Sequence, residues 1–202
     1  MDWKKWLEEQ QNKSMMLVTL INLGDVQGWE TDFESVHRPD RGFFELIGSN
    51  IAPTAQREVV SWDQPMLKEF GEGAVVLVYS PTIDCVLLQA KAEPGNKANG
   101  RVLLAPTLQT SMSNLATTHG GKKPPRAELI TEYIKWTELM QDGGRYFEKS
   151  NNYAIVEIEG LLEPTENERW FNLNELAEVI VAGCANEHLL QVFALFVAKK
   201  VI

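Results

Sequence analysis

The sequence predicts an α+β protein in which helices at both ends flank a mixed sheet. Two short apolar runs, Ala74 to Tyr79 (AVVLVY) and Val86 to Ala90 (VLLQA), have the length and composition of strands buried on both faces. A third run, Tyr153 to Ile158 (YAIVEI), repeats that pattern late in the chain. Apolar residues also recur at helical spacing near both termini, at Trp3, Trp6 and Leu7 and again from Leu189 to Val197. With 202 residues, 44% hydrophobic and 23% charged, the chain can fill one core and lies outside the disordered class.

The elements follow in order. A polar break at Gln10 to Ser14 ends a short amphipathic helix, so residues 1–30 read as a helical extension ahead of a domain over 31–202. From Phe33 to Ile47, FESVHR, a turn at Pro39 to Gly42 and FFELI read as a hairpin. After Pro53, the block Arg57 to Pro65 (REVVSWDQP) leads into a short helical stretch near Met66 to Phe70. The two central strands come next, joined by a turn bearing Pro81. Arg101 to Ala105 is a further strand, and the polar segment after it runs to Gly120-Gly121. Pro124 and Pro125 start a helix with Leu129, Tyr133, Trp136 and Met140 on one stripe, which Gly143 and Gly144 stop. In WFNLNELAEVI an apolar pair precedes a helix capped by Asn172 or Asn174. The final helix begins near Asn186 and is apolar around most of its circumference. The chain shows neither an internal repeat nor a long linker.

Charge narrows the function. The net charge is −9 and the pI about 4.9, yet Gln89 to Arg126 holds Lys91, Lys97, Arg101, Lys122, Lys123 and Arg126 against the single acid Glu93. A cationic island in an acidic protein suits a phosphorylated or otherwise anionic small ligand, although a solvated basic loop has the same composition. Overall acidity argues against nucleic acid as a partner. The longest nearly apolar run, Val192 to Val201, contains Lys199 and Lys200 and is too short to span a membrane. The start, MDWKKWLEEQQNK, lacks the apolar stretch of a secretory signal, so the cytoplasm is the expected compartment. Cys85 and Cys184 form no CxxC pair and read as free thiols. Of His37, His119 and His188, no two share helical ligand spacing, so no metal site is expected.

Four blocks in matching order resemble the NDP-hexose 2,3-dehydratases of deoxysugar biosynthesis: REVVSWDQP, LLQAKAEPGN at Leu87 to Asn96, LAPTLQTSMSN at Leu104 to Asn114, and HGGK at His119 to Lys122. The resemblance covers roughly Phe33 to Ile180 and implies a Nudix-like fold. Family members carry two tandem modules where one copy is visible here, which implies a homodimer. The chain departs from the family at KKPPRAE after His119 and at GGRYFEKSNNYAIV, which is shorter and less basic. The Nudix likeness raises metal-dependent hydrolysis, but the neutral PTLQTSMSN stands where a carboxylate-rich helix belongs. What the resemblance implies instead is loss of water from C2 and C3 of a nucleotide-linked 4-keto-6-deoxyhexose, with no metal and no redox cofactor. The alternatives are a non-catalytic nucleotide-sugar-binding sibling, or a lyase or isomerase of the same fold acting on another natural-product intermediate.

Such an elimination needs a base at the C3 hydrogen, donors at the ketone oxygen and an acid at the departing hydroxyl. His119, beside Gly120-Gly121, is the first candidate because imidazole titrates near neutrality; it is equally placed to fix a loop. Glu93 is the second, with Lys91 or Arg101 available to hold it ionised or merely to pair with it. Gln89, Gln109, Thr110, Ser113 and Asn114 offer donors and acceptors to the sugar and its ketone. Asn96, after Pro94-Gly95, sits in a turn able to present backbone N–H groups to phosphate. Arg57 can fork onto a diphosphate or onto Glu58. Trp62 offers a flat face to a nucleobase or to the core, and Gln64 can read the base edge.

Overall fold

The computed structural model describes residues 2–53, 58–118, 120–132, 137–141 and 143–201. Helix α1 (Trp3–Lys13) opens the chain, with the Asp2 carboxylate accepting the Lys4 N–H. A small antiparallel sheet follows, in the order β1 (Glu30–Thr31), β2 (Ser35–His37), β3 (Phe44–Ile51) and β4 (Trp62–Glu69). The larger sheet holds β5 (Gly73–Ser80), β6 (Cys85–Ala92), β7 (Val102–Ala105), β8 (Leu108–Thr110), β9 (Thr137–Gln141), β10 (Ser150–Glu157) and β11 (Glu168–Asn172). Helices α2 (Met112–Leu115) and α3 (Leu129–Glu132) lie between β8 and β9, while α4 (Leu173–Val181) and α5 (Glu187–Val201) close the chain.

Strand β5 is the spine of the molecule, and all eight of its residues are buried. Alternation sends Val75, Leu77 and Tyr79 into one cluster, with Trp3, Leu7, Leu176, Val179, Leu189 and Val192 from α1, α4 and α5. Val76 and Val78 face the other way, against Leu87, Leu108, Leu129 and Val156. Along one edge β5 pairs in parallel with β10, from Gly73 opposite Asn151 to Tyr79 opposite Glu157. Its other edge is divided. Val78 to Ser80 pair with β6, whereas Ala74 to Val76 pair with β8, and beyond the division β6 takes β7 as its neighbour.

The sheet therefore forks, and Thr107 sits in the fork. Its Oγ1 accepts the Val78 N–H at 2.9 Å and donates to the Leu87 carbonyl at 2.5 Å, joining the two prongs where their own ladder fails. Gln89 Nε2 donates to the Pro106 and Thr107 carbonyls at 2.8 and 3.2 Å, which pins the turn between β7 and β8. The smaller sheet is clipped on through Leu67, whose N–H donates to Arg145 and whose carbonyl accepts from Phe147, both at 2.8 Å.

The α+β class is as expected, while several local readings need correction. Met66 to Phe70 is not helical: β4 runs antiparallel to β3 from Trp62 opposite Ile51 to Glu69 opposite Phe44. Five residues carry too little helical period to compete with an open sheet edge. After Pro125 the described residues are helical from Leu129 to Glu132, and Met140 belongs not to that helix but to β9, which pairs antiparallel with β10; Tyr133 and Trp136 lie outside the described residues. The polar segment after β7 contains both β8 and α2, and WFN is the end of β11. Asn172, not Asn174, caps α4, accepting the Glu175 N–H at 2.9 Å while the Glu175 carboxylate takes the Asn172 N–H at 3.2 Å.

Helix α1 packs on the body of the sheet. Trp3 and Leu7 are buried in the main cluster, and Trp3 Nε1 donates to Glu178 Oε2 at 2.9 Å. Ser14 Oγ donates to the Gly100 carbonyl at 2.6 Å. Gly100 has φ of 57°, and an added Cβ there would collide with the Gln11 carbonyl, so the approach of α1 requires glycine at this position. Among the described residues, no helix is long and apolar enough to cross a membrane.

Candidate functional site

The fork opens a cleft of about 340 Å³. Lys91 and Glu93 reach it from the end of β6, Gln109 and Thr110 from β8, and Ser111, Ser113 and Asn114 from the turn into α2. Lys149 and Asn151 enter from the start of β10, His188 from the first turn of α5, and Glu69 and Phe70 from the end of β4. Phe43 and Phe44 form an aromatic wall. The cleft is thus made where strands end, which is why backbone geometry can hold polar side chains there without disturbing the core.

Its centre is a hydrogen-bonded cluster. Gln109 Nε2 donates to Glu93 Oε1 at 2.9 Å, and Asn186 Nδ2 donates to Gln109 Oε1 at 2.7 Å and to Glu93 Oε2 at 3.3 Å. Lys91 Nζ lies 3.5 Å from Glu93 and donates to the Gln109 carbonyl at 3.1 Å. Burial pushes the Lys91 ammonium below its ordinary value, and the Glu93 carboxylate opposes that push. Asn186 is also the helix cap, its Oδ1 accepting the Leu189 N–H at 2.9 Å, so α5 and the cluster are oriented by one side chain. Opposite, Lys149 Nζ bonds Glu69 at 2.8 Å and the Gly71 carbonyl at 3.0 Å. Gly73 admits the Asn151 carboxamide, because an added Cβ would collide with Asn151 Oδ1.

The hydroxyls form the rim. Ser111 and Ser113 share a 2.8 Å hydrogen bond, and Ser111 Oγ accepts the Asn114 N–H at 3.3 Å. Thr110 Oγ1 donates to the Ser111 carbonyl at 3.2 Å. In the last corner, His188 Nδ1 is 2.8 Å from the phenolic oxygen of Tyr153, a fully buried residue that donates in turn to Gln191 Oε1.

The structure gathers Glu93, Lys91, Gln109, Thr110, Ser113 and Asn114 into this cleft. Gln89 stands apart at the fork, and Asn96 is engaged in its own turn, donating to the Arg101 carbonyl at 2.9 Å. Trp62 donates to Gln64 Oε1 at 2.8 Å at the start of β4. Seven steps along the strand, about 23 Å at 3.3 Å each, separate Trp62 from the cleft-lining Glu69. Glu58 is exposed, and Arg57 and His119 lie outside the described residues.

The cationic island does not converge on the cleft. Of its six members only Lys91 lines it: Arg101 donates to the Asn96 carbonyl, Arg126 pairs with Glu168, and Lys97, Lys122 and Lys123 are exposed. Sequence proximity overstated the field because the turn after Glu93 and the crossover after α2 carry these cations elsewhere. What sequence reasoning missed arrives from distant segments: Glu69, Lys149, Asn151, Asn186 and His188. The Asn-bearing stretch EKSNNYAIV and the cap position of Asn186 were the available signals.

The chain matches the profile of the NDP-hexose 2,3-dehydratase family over residues 1–191. Similar proteins include two named dTDP-4-dehydro-6-deoxy-alpha-D-glucopyranose 2,3-dehydratase. That of Saccharopolyspora spinosa is 29% identical over 185 residues, covering 87% of this chain and 37% of that protein. That of Streptomyces violaceoruber is 32% identical over 170 residues, covering 78% and 37%. A third, from Amycolatopsis orientalis, is 29% identical over 185 residues, covering 88% of this chain and 39% of its own length. The chain therefore spans less than two fifths of the length of these relatives. With a profile match that runs through the α1 contacts, the forked sheet and the cleft, the chain belongs to the NDP-hexose 2,3-dehydratase family.

Proposed function

We propose that the cleft removes water from C2 and C3 of a nucleotide-linked 4-keto-6-deoxyhexose, as the names of the relatives suggest for their own reaction. The ketone acidifies the C3 hydrogen, a base removes it, and the enolate expels the C2 hydroxyl. The observation that supports this most is the Glu93 cluster: an acid, an ammonium and two amides meet at one end of a polar cleft rimmed by Thr110, Ser113 and Asn114. Amide and hydroxyl donors fixed in advance can meet the charge that accumulates on the ketone oxygen without reorganising. Glu93 and His119 are the proposed proton carriers, while the rim groups bind the sugar. Arg57, Glu58, Trp62 and Gln64 remain proposed contacts for the nucleotide, which requires the ligand or a second copy to extend well past the cleft. The amides of Gln89 and Asn96 support the walls rather than the ligand.

A binding-only role is the second reading. It is favoured by the pairing already present in the cleft, where Lys91 faces Glu93 and Lys149 faces Glu69. Incubation with dTDP-4-keto-6-deoxyglucose and a 3-ketoreductase, followed by mass spectrometry, separates the two. Loss of water supports the lyase; saturable binding without loss of water supports the sibling; neither result removes the substrate class.

Two copies are proposed to pair in solution, since Met15, Leu17 and Leu20 are each more than 90% exposed and a separate apolar groove is lined by Leu23, Val26, Trp29 and Leu46. Light scattering that returns the mass of one chain at micromolar concentration would remove that proposal. The cytoplasm is the proposed compartment, consistent with Cys85 and Cys184 both being free.

A further inference from the structure

We propose that His188, in place of Glu93 or His119, is the base that takes the C3 proton, held in the required tautomer by Tyr153; this rests on the lyase reading above and replaces only its assignment of the proton carriers. Among the described residues His188 is the one histidine that lines the cleft, His37 being buried in the smaller sheet beside Ser35. Tyr153 has a single phenolic proton. With that proton donated to Gln191 Oε1, which can only accept, the phenolic oxygen accepts from His188, so Nδ1 carries the ring hydrogen. In the neutral ring Nε2 is then the acceptor, which is the protonation state a base needs. Tyr153 is fully buried, and His188 and Gln191 lie one turn apart on α5, so the relay is fixed by the core and not by the ligand. Glu93 is less suited to the first transfer because Gln109, Asn186 and Lys91 already engage its oxygens.

The step balances without a further reagent. The C3 proton passes to Nε2, and the electrons of the C3–H bond form the enolate of the C4 ketone. As the carbonyl returns, the C2–O bond breaks, and the departing hydroxide takes the proton from the imidazolium and leaves as water. The charged groups lining the same cleft are Lys91 and Glu93 from β6 with Glu69 and Lys149 across from them, and Tyr146 adds a phenol. Tyr153 is a positioning residue in this scheme.

Three measurements on the whole chain test it. Histidine nitrogen NMR of the wild type should show His188 as the Nδ1–H tautomer, and Tyr153→Phe should mix the tautomers while the fold survives. A wild-type Nε2–H tautomer overturns the relay. Titration with dTDP-glucose should shift the His188 ring resonances saturably, and their indifference to bound ligand overturns its place in the site. His188→Gln should lower kcat by on the order of a hundredfold or more with little change in KM, with Tyr153→Phe losing less. Full turnover in His188→Gln, with turnover abolished instead in His119→Gln, moves the base to His119. A wild type that binds dTDP-glucose at His188 yet never dehydrates the keto sugar sinks the lyase reading and this proton transfer, while the tautomer and the contact stand.

Discussion

Glu93 and Glu168 show how differently two partly buried acids can be used. Glu93 opens to the cleft, and Glu93→Gln keeps its shape while leaving the Lys91 ammonium without its counter-charge. The expected result is a loss of kcat on the order of a hundredfold with a nearly unchanged melting temperature, measured side by side with circular dichroism and the coupled assay. Glu168 is closed off, its side chain 2% exposed, and Arg126 bonds both of its oxygens at 2.7 and 3.1 Å. Burial alone would raise its carboxyl, but the Arg126 hydrogen bonds and the Thr165 N–H outweigh that and hold it below the ordinary range. A carboxyl depressed in the folded state contributes stability above its unfolded value, near pH 4, and that contribution disappears as pH falls through the folded value. Arg126→Met should therefore cost about 3 kcal/mol at pH 7, and the deficit should shrink as the pH of the melt is lowered through that window. An equal deficit at every pH would assign the loss to packing alone.

Elements carry the next level of control. The capping box at the start of α4 satisfies two backbone groups, so Asn172→Ala should lower stability by about 1 kcal/mol, or roughly 2 to 4 °C in the melting temperature. An unchanged melt would mean that the α4 packing of Leu176 and Val179 dominates. At the β5–β10 junction, Gly73 lies opposite Asn151 in the parallel register. Gly73→Ala should destabilise the fold and reduce turnover together, and adding Asn151→Ala should restore most of the stability but not the activity. If the double variant melts no higher than the single, the clash is elsewhere. The fork belongs to this scale as well. It needs one prong, β8, short enough to release β5 to β6, and Thr107 to close the gap.

At the level of the molecule, the central strands, the two flanking helices and the start of α4 were legible because each is declared by a local pattern, while the choice of Asn172 over Asn174 as the cap came from the structure. Strand β4 was not, since its conformation is set by pairing with β3, which a five-residue window cannot display. The cleft was half legible. Lys91, Glu93, Gln109, Thr110, Ser113 and Asn114 share one sequence neighbourhood, and the blocks quoted for the family contain them. Lys149, Asn151, Asn186 and His188 come from segments 35 or more residues later and look like ordinary strand and helix starts until the sheet brings them round. The parallel pairing of β5 with β10 sets a timetable. The β5–β6 hairpin can zip across its short turn early, whereas β10 must wait for some seventy intervening residues to be gathered in, and loop closure of that length is slow. Pulse-labelled amides in Val86 to Leu88 should accordingly become protected before those of Tyr153 to Val156, so that a newly made chain acquires its hairpin first and its working corner last.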